Sequence, residues 1–542
     1  MRRLRGAGCN VPADFAADVV IIGAGPTGAA AAWRLTRAGV SVICLERGHW
    51  FDHAALAHNT PGYARRRAGR FNDNPNIRQG DDDYPIDDSG SPIKVTIGNA
   101  VGGGSNYWAA HIPRFRPEDF RVHALDGVAA DWPIGYADLE PYYDINERMM
   151  GLAAVLGDPA APPRRLRPVP MPSVGVAGRS MGEAFDRLGW HWWPVDLAVG
   201  ADDRSAEPCG HVGPCEPGCP TRRRSGADHA YLRPALAAGA RLLTGARVTS
   251  LECGENGRVR AAVAATDSGS IRVQADRFVL AANGIGTPRL LLMSAAAACP
   301  HGLANRSGQV GRNLMLHPHA RVDARFPEAL GQWTRTRQAG LVCLEFLATR
   351  PEHDFPRGFK MQFSAGPGPA SLANGVAAAT VLPWGQGHHE AFLARFDRIA
   401  GLTICIEDLP EPTNRITLSD DQLDRDGAPA ARMSYRLSEA SRRMLDFAMD
   451  RAEQVLRAAG GTDIVRDTLK AQAGFHLMGT ARMGASPETS VVNSYGRCHD
   501  VPNLFIVDSS VFVTASAMNP TSTAQAFALR AADHIAGTRH SD

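Results

Sequence analysis

One short stretch near the N-terminus narrows the fold more than any other feature. Residues 19–35 read VVIIGAGPTGAAAAWRL, which places Gly23, Gly25 and Gly28 in a GxGxxG spacing immediately after an apolar, β-rich run. Gly23 permits a tight turn, Gly25 lets a pyrophosphate approach the backbone, and Gly28 lets the following helix pack closely on the strand. The free N–H groups at that helix start, with its positive dipole, suit phosphate. The Ala-rich helix runs to about Ala38. Gly39 suits its C-terminal cap, where a left-handed residue is needed. A second strand follows from Val40 to Leu45, and Glu46 at its end is placed to accept hydrogen bonds from the ribose hydroxyls of an adenosine. A glycine triplet alone is weak evidence. Strand, helix, strand and acidic residue in register predict a dinucleotide site in a doubly wound parallel sheet. The motif does not choose between FAD and NAD.

The whole chain, 542 residues of which 44% are hydrophobic, fits two intimately packed domains rather than one simple core. A net charge of +2 gives no nucleic-acid or membrane-surface signature. No apolar run approaches the roughly 20 residues of a membrane helix. The basic start MRRLRGAGCN has no apolar stretch after it, so a cytoplasmic protein with reduced thiols is expected. Strand-like runs recur at Leu242–Val248, Phe278–Ala282 and Leu504–Val507, a helix is expected over Glu439–Ala459, and a closing helix is expected from Pro520. Residues 50–95 read as irregular.

Four further segments carry a family resemblance. They are AVGGGSNYWAAHIPRF (Ala100–Phe115), FVLAANGIGTPRLLLM (Phe278–Met293), VGRNLMLHP (Val310–Pro318) and the C-terminal series HLMGTARMG, NLFIVDSSVF and AMNPTSTAQAFAL. In order and spacing they resemble the glucose–methanol–choline (GMC) oxidoreductases from about residue 15 to 538. The resemblance implies an FAD-dependent alcohol-oxidising enzyme. It implies a discontinuous FAD-binding domain (15–155, 226–318 and 470–538) and a substrate-binding domain built on an antiparallel sheet (156–225 and 319–469). Gly103, Gly104, Ser105 and Asn106 of the loop beneath the flavin, together with Val248, Asp508 and Asn519, are the implied cofactor contacts besides the fingerprint. Pyranose-oxidase-like members carry a histidine in that loop that bonds FAD covalently. The matching position here is Tyr107, so the FAD is expected to be non-covalent.

Alcohol oxidation needs a base for the hydroxyl proton and a flavin N5 to take the hydride. The resemblance gives the first role to His476, a residue type of near-neutral pKa, and gives Asn519 the task of bonding the same substrate oxygen. Asn519 also reads as a helix N-cap ahead of Pro520, and both readings can hold together. His111, His317, His319 and His499 read as structural.

Cys209, Cys215 and Cys219 cluster in CGHVGPCEPGCP. Buried thiols are the plain reading. Iron–sulfur ligation, as in some family dehydrogenases with a cytochrome subunit, is the sharper one, and a zinc site would need His211 or His229 as a fourth ligand. Within the family the chain looks like the flavin oxidases of aminoglycoside biosynthesis. That implies a primary alcohol on an amino sugar of the paromamine type, with O2 as acceptor. A field from the aspartates of GDDDYPIDD (Gly80–Asp88), or contacts from Glu345 and Glu407, would suit such a cation, although a solvated loop is the blander account. A dehydrogenase using a quinone or cytochrome, and an FAD-containing lyase, are the rival readings.

Overall fold

The computed structural model describes residues 15–56, 63–165, 168–200, 219, 222–332, 340–375 and 382–538. Strand β1 (Phe15–Ile22), helix α1 (Pro26–Arg37) and strand β2 (Val42–Leu45) form the expected opening unit, with β1 and β2 parallel from Val19 opposite Val42 to Ile22 opposite Leu45. Gly23 turns the chain at φ +101°, and a Cβ there would lie 2.5 Å from the Ala281 carbonyl oxygen. At Gly28 a Cβ would come within 2.0 Å of the Gly23 carbonyl oxygen, so the helix can sit on the turn only with glycine there. Pro26 opens α1, where its missing N–H costs no helical bond.

Around β1 and β2 the chain assembles a seven-stranded sheet from distant segments. Arg241–Leu243 lies beside β2. On the other side of β1 lies the long strand Gly269–Leu280, and Leu504–Ile506 adds to its far end; all of these pairs are parallel. Val259–Thr266 and Arg247–Cys253 extend the sheet antiparallel. Its central residues (Val20, Ile21, Val279, Leu280, Ile506) are fully buried, as expected of a sheet covered on both faces. The C-terminal helix Thr521–Gly537 packs across α1, tied by the Arg34–Asp533 ion pair at 2.5 and 2.9 Å. The ends of the parallel strands therefore bring Gly23, Glu46, Ala281 and Asp508 to one edge, where ligands bind in open α/β sheets.

The second sheet has six strands, in the order Thr462–Asp467, His319–Arg325, Ile399–Ile406, Phe359–Ala365, Leu341–Cys343 and Trp192–Pro194, with every neighbour antiparallel. The two-residue alternation splits it cleanly. Ala320, Val322, Leu402, Ile404, Phe359 and Met361 turn to one core, against Met444, Leu445, Ala448 and Met449 of the amphipathic helix Glu439–Ala458. The opposite face carries three cross-strand rows: His319–Cys405–Lys360, Arg321–Thr403–Gln362 and Asp323–Gly401–Ser364. This is the expected pairing of a doubly wound sheet with an antiparallel one.

Residues 50–95 are more regular than expected. They hold helices Tyr63–Ala68 and Pro75–Arg78 and the strand Ile86–Gly90, which pairs with Pro429–Ser434. Four of the five aspartates of Gly80–Asp88 are engaged by neighbours. Asp83 pairs with Arg78, Asp87 with Arg432 and Asp88 with Lys94, and Asp82 faces His49. An acidic field for a cationic substrate is not assembled there.

Gly28→Ala is expected to cost about 1–3 kcal/mol or more through overpacking. Differential scanning fluorimetry and flavin content should fall together; an unchanged melting temperature would contradict the packing described.

Candidate active site

A cavity of about 1480 Å³ runs from the edge of the parallel sheet to the polar face of the antiparallel one. Gly23, Gly25 and Glu46 line one end, and His476, Asn519, Lys360, Gln362 and Arg321 line the other. At the first end no side chain caps α1, whose N-cap is Gly25, so its first N–H groups are free for an anion. The buried Glu46 carboxylate accepts bonds from the backbone N–H of Ala24 (2.7 Å) and Gly48 (2.9 Å), and burial raises its pKa.

The loop expected beneath the flavin forms a short 3-10 turn, Gly103–Asn106, laid against the fingerprint. A Cβ at Gly103 would sit 3.0 Å from the Gly25 Cα, whereas at Gly104 it would meet nothing within 4 Å. Gly103, Gly104, Ser105 and Val248 line the cavity. Asn106 does not: it is fully buried, and its amide donates to Val101 and Gly103 carbonyls at 3.0 and 3.1 Å, shaping the loop from behind. Gly28 likewise acts through packing. Asp508 lines the cavity, yet its oxygens accept from Ser510 N, Thr287 Oγ1 and Asn283 N, so it braces the turn at the strand end. Tyr107 lines the cavity with its ring edge-on to Phe51. This cradle of glycines, free helix N–H groups and a buried carboxylate fits FAD.

The catalytic end is built by pairing two loops. Met315 and Met478 exchange both backbone hydrogen bonds at 3.0 and 3.1 Å, which sets His317 beside His476. Their Nδ1 atoms lie 2.9 Å apart. His317 Nε2 donates to the backbone oxygens of Ser516 (2.5 Å) and Ala515 (3.2 Å), so the proton of this ring sits on Nε2. Burial, and then the charge of Lys360, push the His317 pKa down to about 3. The ring is neutral and its Nδ1 is a bare acceptor. His476 Nδ1 must then donate to it. His476 is also held neutral, its pKa well below 6.5, by burial first and then by His317, His319, Lys360 and His111 around it. Its own Nε2 is thereby left with a free lone pair, on a side chain that lines the cavity. Phe475 packs on both His319 and His476, with ring centroids 5.1 and 4.6 Å away.

Asn519 corrects one expectation. The last helix begins at Thr521 with Pro520 at the N-cap, so the Asn519 side chain caps nothing. Its Oδ1 instead accepts a bond from Lys360 Nζ. Three of the four histidines read as structural surround the site: His317 through its bond to His476, and His111 and His319 as cavity lining. Only His499 lies apart, bonded to Ser490. The His-Pro-His spacing at 317–319 was the available signal. Lys360 had none, since FKMQF reads as an ordinary strand. Glu345 and Glu407 are committed to Arg350 and Arg357 and do not line the cavity. Cys209, Cys215 and His211 lie outside the described residues, Cys219 is buried, and His229 pairs with Asp228. Among the described residues no cluster of His, Cys, Asp or Glu could hold a metal, and no helix is long and apolar enough to cross a membrane.

Comparison with known proteins agrees with this geometry. Sequence models of the GMC oxidoreductase family match residues 17–319 and 410–528. The chain is 38% identical over 536 residues to 2-methyl-1,2-propanediol dehydrogenase of Mycolicibacterium austroafricanum, spanning 96% of this chain and 95% of that protein. It is 31% identical over 547 residues to paromamine 6'-oxidase of Streptomyces fradiae, spanning 96% and 91%. Pyridoxine 4-oxidase of Mesorbium loti shares the fold at a TM-score of 0.65 and 18% identity, over 96% of this chain and 99% of that one.

A neutral His476 is the form that accepts a proton. Since its pKa is depressed, the rate of flavin reduction should hold steady through neutral pH and fall only as His476 protonates, below pH 6.5. Anaerobic stopped-flow over pH checks this; an inflection at or above 6.5 would contradict it.

Proposed function

The chain belongs to the GMC oxidoreductases, FAD-dependent enzymes acting on alcohols, and from that premise we propose that it oxidises a hydroxymethyl group of a small, uncharged polyol or sugar to the aldehyde. The observation that carries this reading is the free Nε2 lone pair of a neutral His476 in the same cavity as Asn519 and the glycine cradle. His476 Nε2 takes the hydroxyl proton, and Asn519 Nδ2 donates to the same oxygen and fixes its orientation. Bound FAD supplies the hydride acceptor. Gly23, Gly25, Glu46, Gly103, Gly104, Ser105 and Val248 hold the cofactor without a covalent bond, because Tyr107 offers no imidazole at the loop position. The two sheets support the proposed division into a discontinuous FAD-binding unit and a substrate-binding unit.

The wall favours an uncharged alcohol. Lys360 and Arg321 face the cavity from the antiparallel sheet, and Asp323 is already bound by Arg321 at 2.7–2.9 Å. A polycation would meet an ammonium and find Asp323 occupied, with Asp467 the other carboxylate of that sheet on the cavity wall. The 38% identity to a diol dehydrogenase supports the same choice. The amino-sugar reading, oxidation of a paromamine-type primary alcohol with O2 as acceptor, stands second on the similarity to the S. fradiae enzyme. A quinone or cytochrome acceptor, as for a dehydrogenase of the family, is the alternative to O2.

Anaerobic mixing with 2-methyl-1,2-propanediol, neutral sugars and paromamine separates these readings. Bleaching of the flavin by a neutral alcohol is expected, and re-oxidation on admitting air would identify O2 as acceptor. Bleaching by paromamine alone would overturn the uncharged-substrate reading. Absence of bleaching by any alcohol, with dithionite still effective, would point to a lyase. Acid precipitation is expected to release the flavin into the supernatant; flavin retained on the chain would exclude a non-covalent cofactor.

A further inference from the structure

Lys360 sits on the strand Phe359–Ala365, next to Cys405 on the polar sheet face, 3% exposed. Among the described residues no carboxylate forms an ion pair with it. Its row neighbours are Cys405, whose thiol burial pushes up to about 11, and the neutral His319. Burial pushes the Lys360 pKa down, and a buried ammonium without a counter-ion is unfavourable unless something requires it. Its hydrogen-bond partner is Asn519 Oδ1, in the cavity that holds His476.

An ammonium carries three donors and no acceptor. Only the carbonyl end of the Asn519 amide can face it, so the NH2 end must point elsewhere. We propose that Lys360 is a positioning residue for the oxidation: it locks the Asn519 amide with Nδ2 free to donate to the substrate oxygen, and it places a positive charge beside that oxygen as the proton leaves for His476. This rests on the reading that Asn519 bonds the reacting oxygen. Without Lys360 the amide could turn over and present Oδ1, an acceptor, to a developing alkoxide. The groups facing His476 are His317, His319 and His111, all without a carboxylate among them, and Lys360. Burial lowers the Lys360 pKa as well, but when protonated it is the positive charge of that set, and its removal should let the His476 pKa rise toward 6.5.

The test uses FAD-loaded protein in anaerobic stopped-flow with the alcohol that reduces the wild type. Lys360→Met should lower the reduction rate by about 100-fold, leave the substrate Kd within about 3-fold, and move the acid inflection upward. Lys360→Arg, which keeps charge and donors, should recover most of the rate. Lys360→Gln, able to donate without charge, should recover part of the rate but keep the raised inflection, and it serves if the Met variant fails to load flavin. A wild-type rate in Lys360→Met or Lys360→Gln, a loss confined to Kd, or an unmoved inflection in both would overturn the proposal. Asn519→Ala reports on the underlying reading: if its reduction rate matches the wild type, Asn519 does not bond the reacting oxygen, whatever the Lys360 variants do.

Discussion

The hydrogen bond between the Nδ1 atoms of His317 and His476 is the constraint on which the catalytic end depends. Two neutral rings can share it in only one way once the far nitrogen of His317 is committed to a carbonyl. Several strained or buried groups maintain that commitment. His317 and Ser516 both adopt left-handed backbone, at φ +52° and +53°, and they bond each other. The Ser516 hydroxyl donates to Asp119 at 2.8 Å, and Asp119 belongs to a buried cluster in which Arg357 also binds Asp126 and Glu407. Unfavourable φ values concentrated on such a bond are the mark of a geometry that the surrounding fold imposes.

That local arrangement needs both sheets. The parallel sheet gathers its strand ends, from segments hundreds of residues apart, into a glycine-lined cradle with free helix N–H groups. The antiparallel sheet turns one face to its own helix and the other to the cavity. Because residues two apart share a face, His319, Arg321 and Asp323 arrive together, opposite Lys360, Gln362 and Ser364. Gly401 is required in that row, since a Cβ there would lie 2.3 Å from an Asp323 carboxylate oxygen. A cofactor held at one end and an alcohol at the other then meet in one cavity.

The sequence was most legible where chemistry is local. The Gly23-x-Gly25-x-x-Gly28 turn and Glu46 could be placed from spacing alone, because strand, turn and helix are consecutive. The amphipathic helix Glu439–Ala458 was visible for the same reason. The loop at Gly102–Tyr107 was found by resemblance, and so was His476. What escaped were relations between distant segments. Nothing in HPH at 317–319 tells which nitrogen bonds His476, and nothing in FKMQF marks Lys360 as a buried ammonium. The aspartates of residues 80–88 left a solvated loop and an acidic field both open, because their partners, one of them at residue 432, cannot be read from local composition. Asn519 looked like a cap because Asn-Pro so often starts helices; its partner lies 159 positions away.

Histidine 15N resonances of the FAD-loaded protein at neutral pH, with His476→Ala to assign the ring, address the proton arrangement directly. The structure predicts a neutral His476 with a protonated, pyrrole-type Nδ1 and a bare, pyridine-type Nε2, and loss of that preference in His317→Ala. A protonated Nε2, whether in the opposite tautomer or in an imidazolium, would contradict the assignment of His476 as a base poised to take the alcohol proton.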